Sequence, residues 1–100
     1  MIIYNVTVKV DPQTHEEWLQ WMKTKHIPEV IATGFFIDHK IFRLLDLDEN
    51  DGVTYAIQYF CTSMEDYREY QKNHAPALQQ EHSKRYQNKF VAFRSLLQQV

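Results

Sequence analysis

An α+β domain with the element order βαββαβ is what this chain predicts. Four segments carry strand patterns, two amphipathic stretches with helix-terminus signals lie between the first and second and between the third and fourth, and a polar turn joins the middle two strands. At 100 residues the chain is one domain's worth, read as residues 1–100. With 44 % hydrophobic residues, including six Tyr, six Phe and two Trp, it is too apolar for disorder, and a net charge of −2 lacks the basic footprint that nucleic acid requires. No run of 18 apolar residues exists to span a membrane, and the amino terminus opens directly on an alternating pattern, so a cytoplasmic protein is expected. Cys61, the single cysteine, can form neither an internal disulfide nor a multi-Cys zinc site, which fits a reducing compartment.

Each element has its own signal. From Ile2 to Val10 the chain sets Ile2, Tyr4, Val6, Val8 and Val10 on one face and Ile3, Asn5, Thr7 and Lys9 on the other, the period of a strand. Asp11 offers a capping oxygen and Pro12 suits the first helical position, which predicts a helix to about His26 with Leu19, Met22, His26 and Val30 as its inner stripe and Trp18 and Trp21 flanking it. Pro28 disfavours helical geometry at Ile27, so a break is expected there, with one or two further turns ending at Gly34. Phe35 to Leu45 and Val53 to Thr62 are strand-like, joined through Asp48, Glu49, Asn50, Asp51 and Gly52. Ser63 with Asp66 forms a capping-box pattern opening a helix whose Tyr67, Tyr70 and His74 share a face. Pro76 interrupts it, helix resumes through Leu78, His82 and Tyr86, and Phe90 to Leu97 is the last strand.

His26-Ile-Pro28 and His74-Ala-Pro76 follow the two helical stretches in turn, an echo expected of two βαβ halves. The order of elements, the segment Trp18-Leu-Gln-Trp21-Met22 through His26-Ile-Pro28-Glu-Val, the strand Tyr55-Ala-Ile-Gln-Tyr-Phe60 and the ending Phe90-Val-Ala-Phe-Arg94 resemble, over essentially the whole chain, a small family of uncharacterised bacterial proteins. That family is a domain of unknown function within the dimeric α/β-barrel proteins of ferredoxin-like fold. The resemblance implies a four-stranded antiparallel sheet with helices on one face and two such sheets closing into a barrel. Relatives elsewhere in the superfamily include cofactor-free and haem-degrading monooxygenases, decarboxylases or isomerases, and non-catalytic stress proteins, among which fold alone does not choose. The haem-degrading pattern resembles an Asn on the first strand, a Trp on the third and a His on the second helix; Asn5 and His74 stand in comparable elements, but the third strand offers Tyr55, Tyr59 and Phe60 and no Trp. No cofactor is therefore expected. In other relatives a His near the end of the first helix lines the substrate cleft, the place that His26 occupies here.

Familiar chemistries are excluded by the residues themselves. Gly34 and Gly52 are the only glycines, too few for a dinucleotide or phosphate-cradling loop. Asp46 to Gly52 has the acidity of a calcium loop, yet Asp51 stands at its sixth position, where Gly belongs, and Ile57 at its twelfth, where a bidentate Glu belongs. Ser63, Ser83 and Ser95 have no nucleophile elbow, and Cys61 reads as a small buried side chain on a central strand.

The histidines are what remains. His26, His74 and His82 share helix faces with Leu19, Met22, Tyr67, Tyr70, Leu78 and Tyr86, which turns their rings toward the sheet or a cleft beside it; His15 and His39 read as exposed or edge positions. Polar partners for buried rings are available in Asn5, Thr7, Gln58 and Arg94. No His-x-x-x-His spacing points to a metal, and no metal site is expected. One reading makes the cleft a site for a flat apolar or aromatic molecule, with His26 and His74 as catalytic general base or orienting donor and Asn5, Trp18, Trp21, Met22, Tyr59, Tyr70 and His82 as ligand-binding residues. The other makes the aromatics core and the histidines structural, in a non-catalytic dimeric or stress-related module. Both share a homodimer closed on the sheet, because the second strand carries Phe36, Phe42 and Leu44 on one side and Phe35, Ile37, Ile41 and Leu45 on the other, leaving an apolar face that one layer of helices cannot cover.

Overall fold

A computed structural model describes residues 1–100. Strands β1 (Ile2–Val10), β2 (Asp38–Arg43), β3 (Val53–Cys61) and β4 (Phe90–Gln98) form one antiparallel sheet in the order β2-β3-β1-β4. Helices α1 (His15–Trp21), α2 (Ile27–Ala32), α3 (Met64–Asn73) and α4 (Ala75–Arg85) lie on one face, with a π-helical turn at Met22–His26 joining α1 to α2. This is the predicted ferredoxin-like α+β arrangement.

The pleat decides what each strand residue meets. Val6 pairs with Ile57 on one side and Arg94 on the other, so the even positions of β1, the odd positions of β3 and the even positions of β4 all face the helices. On β3 that face is buried from Val53 to Cys61 and every alternate residue is half-buried. Tyr4, Val8, Val10, Tyr55, Ile57 and Tyr59 thereby form the floor of a core closed from above by Trp18, Trp21, Met22, Ile27, Val30, Tyr70 and Tyr86.

Several element boundaries differ from expectation, each for a local reason. The Asp11 carboxylate accepts the Gln13 amide at 2.8 Å in a turn, and helix begins only at His15. At Pro28 the chain does not break. The amide of Ile27 reaches back five residues to the Met22 carbonyl, a widened turn that accommodates a ring which would otherwise collide with the Thr24 carbonyl, and Pro28 falls in the first turn of α2, where no amide is needed. The helix therefore continues, with Met22 and His26 both buried on its inner side. The Ser63 hydroxyl accepts the Asp66 amide at 3.1 Å, as the capping pattern requires, while the Asp66 carboxylate accepts from the Thr62 hydroxyl instead of closing the box. Pro76 does separate α3 from α4, at His74 (φ −126°).

The second strand is shorter than predicted. Phe35 to Ile37 is irregular, so alternation does not apply to it: Phe36 turns into the core against Tyr4, Tyr59 and Tyr70, whereas Phe42 lies on the helix-free face. The apolar surface of that face comes chiefly from β4, where Val91, Phe93 and Leu97 stand exposed at one edge of the sheet, while Phe42 lies on β2 at the opposite edge. The acidic hairpin is held by cations of the sheet, Arg43 on Glu49 and Lys9 on Asp51.

Candidate functional site

Between the helices and the sheet lies a cavity of about 40 Å³, lined by Tyr4, Val6, Val8, Met22, His26, Val30, Ile57, Tyr59, Tyr70, Gln79, His82, Ala92 and Arg94. Its floor is β3, β1 and β4; its roof is the π turn, α2, α3 and α4. Every group deep in it is apolar, aromatic or imidazole, and Arg94 is the one exposed member of the lining, which puts the mouth at β4.

Two imidazoles meet at this roof. The rings of His26 and His82 stand 5.6 Å apart, centre to centre, edge to face. His82 is held firmly: Trp18 donates its indole N–H to Nε2 at 2.9 Å, and Phe90 stands edge-on at 4.3 Å. Because an indole nitrogen only donates, Nε2 must be the unprotonated nitrogen and Nδ1 carries the hydrogen. His26 stacks on Trp21 at 5.2 Å, and its Nδ1 is buried without a hydrogen-bond partner. Burial pulls both rings down to about 4, desolvation being the main cause; for His82 the neighbouring His26 and Arg94 add to it. Both are neutral at pH 7, able to accept or donate a hydrogen bond without carrying charge. Burial likewise pushes the phenols of Tyr59 and Tyr70 well above their ordinary value, so both are neutral hydroxyls.

Of the residues expected at a site, the structure brings His26, Met22, Tyr59, Tyr70 and His82 together around the cavity. Trp18 and Trp21 stand behind the lining, Trp18 on His82 and Trp21 against His26, and do not face this cavity themselves. Two expected residues lie elsewhere. His74 sits at the α3–α4 junction, where its backbone turns the ring toward Phe35 and Tyr70 and away from the cavity. Asn5 is on the opposite face of the sheet, bonded to Thr7 at 3.1 Å and Ser95 at 3.4 Å, because odd positions of β1 point away from the helices. Thr7 and Gln58 share that face and cannot partner the histidines, whereas Arg94 does reach the site. The two His-x-Pro segments thus diverge: the first is absorbed in a continuous helix and the second splits one. Gln79 was missed altogether, since α4 has no strong stripe, its apolar positions being interrupted by polar ones.

His15 meets the Tyr55 hydroxyl at 2.9 Å, and His39 is exposed on the edge strand β2. Cys61 is fully buried on β3, and burial raises its thiol.

The family model described as "Domain of unknown function (DUF4286)" matches residues 1–100. The chain belongs to this family. No curated protein matches it. Among solved structures, a dimeric ferredoxin-like protein from an uncultured marine organism superposes with a TM-score of 0.71 at 13 % identity, covering 100 % of this chain and 95 % of that one. A putative antibiotic biosynthesis monooxygenase from Nitrosomonas europaea gives 0.69 at 9 %, covering 100 % and 99 %. SnoaB, a cofactor-independent oxygenase from Streptomyces nogalater, gives 0.64 at 12 %, covering 99 % and 92 %. At such identities the likeness is one of fold, and this chain shares that fold with proteins described as monooxygenases or oxygenases. No helix is long and apolar enough to cross a membrane.

Proposed function

We propose that this DUF4286 domain binds, and through its imidazoles orients or transforms, a small largely apolar molecule in the cavity between helices and sheet. The observation that carries the reading is that His26 lines the cavity and its Nδ1 is buried with no protein hydrogen-bond partner. An orphaned buried polar atom costs about 1–3 kcal/mol, a penalty that a ligand's polar group would relieve. The second imidazole, pinned by Trp18, presents the other hydrogen-bonding group that a ligand needs for orientation. The volume limits the reading. About 40 Å³ holds the equivalent of two or three water-sized groups, so an aromatic ring enters only if Met22 and the rim side chains move aside. The His26–His82 pair takes the role that His26 and His74 were expected to share. A thermal-shift screen of small metabolites tests the proposal: a ligand that raises the melting temperature of the native chain, and does so less for His26→Gln, supports it, and a screen in which every stabilising compound acts equally on both proteins rejects it.

We further propose that the functional unit is a homodimer closed on the helix-free face of the sheet. Val91, Phe93 and Leu97 stand exposed together on β4, with Phe42 at the opposite edge of the same face, apolar side chains that a second copy would cover, and a fold neighbour is described as dimeric.

A further inference from the structure

The charge pattern of the cavity narrows what it takes. Its lining contains one formally charged side chain, Arg94, and no carboxylate. The ion pairs of the molecule join Lys9 to Asp51, Lys25 to Glu29 and Glu81, Arg43 to Glu49 and Arg85 to Glu17; Arg94 has none. Glu29 and Glu81, whose charge is felt at His26, are both engaged by Lys25. The register places Arg94 opposite Val6 on the helix-facing side of an edge strand, so its stem runs along the apolar floor and its head stands at the mouth. Its charge reaches inward, since it contributes to lowering both imidazoles.

Resting on the small-molecule reading above, we propose that the ligand is a short-chain organic anion, a carboxylate whose apolar tail fills the cavity and whose charged end is met by Arg94. A guanidinium fork matches a carboxylate in geometry, and a free cation beside neutral imidazoles favours an anion over its uncharged isostere. The tail is limited to a few carbons by the volume. Because Arg94 is exposed, water screens the pair and binding is weak, in the millimolar range.

The test is a pair of NMR titrations, butyrate against butyramide, followed at the imidazole resonances of His26 and His82 in the native chain and in Arg94→Gln. Butyrate is expected to shift both rings with an affinity about threefold to fivefold above that of butyramide, and the preference to vanish in Arg94→Gln. Arg94 packs at the surface, and Arg94→Lys, which retains the charge but loses the fork, should keep part of the preference. Equal affinities for the two compounds, or a preference that survives Arg94→Gln, overturn the anion inference and leave the cavity reading standing. If neither compound shifts the imidazoles at about 50 mM, well above the millimolar range expected for such a pair, both fail.

Discussion

The indole of Trp18 on α1 is hydrogen-bonded to His82 on α4, an N–H to imidazole contact of 2.9 Å between residues 64 apart in the chain. It ties α1 to α4 over the sheet, sets the tautomer of His82 and so determines which nitrogen remains for a ligand. Both partners are buried, and neither has water to fall back on.

Trp18→Phe keeps most of the ring packing on Tyr55 but orphans Nε2 of His82. A loss of about 1–3 kcal/mol in urea unfolding is expected. In a His82→Phe background the same change should cost clearly less, because the acceptor is already gone; equal costs in the two backgrounds would show the bond to be energetically idle.

Stability should fall with acid through these two rings. In the unfolded chain an imidazole takes its proton near 6.5, and in the folded protein only at about 4. Between those values the unfolded state binds more protons, so the rings' contribution is complete above about pH 6.5 and is lost as pH drops toward 4, by about 2–3 kcal/mol for either ring. Urea melts at pH 7, 5.5 and 4.5 check this against His26→Gln, whose slope should be shallower; parallel slopes would mean that His26 is not held neutral.

His74 and His26 should separate cleanly. His74→Gln changes a half-buried ring at a helix junction and should cost under about 1 kcal/mol with ligand affinity unchanged. His26→Gln should weaken binding of any compound found in the thermal-shift screen severalfold. The opposite ordering would move the site to the α3–α4 junction.

The proposed dimer predicts that the chain sediments at twice its 12.1 kDa mass at micromolar concentration. Phe93→Asp, at a side chain exposed in the single chain, should yield a folded monomer. A native chain that sediments as a monomer rules the dimer out.

The sequence by itself determined the element order, because alternation in β1 and β3 and the Ser63 cap are local signals that need no partner. It also identified most of the cavity roof, since Met22 and His26 lie four apart on one helical face and Tyr70 and His82 on others. What it could not determine is what those faces meet. The two His-x-Pro segments are alike as strings, yet packing on the sheet turns one into a π turn that buries its imidazole and the other into a junction that points its imidazole elsewhere. Asn5 and Arg94 are both polar interruptions of apolar strands, and the pairing register alone puts Asn5 on the helix-free face and Arg94 at the cavity mouth. Phe36 became core because the chain before β2 abandons the pleat, which removes the parity on which a strand argument depends. Local patterns record which residues share a face; register and helix packing, fixed by contacts between segments far apart in sequence, decide which faces close around a site.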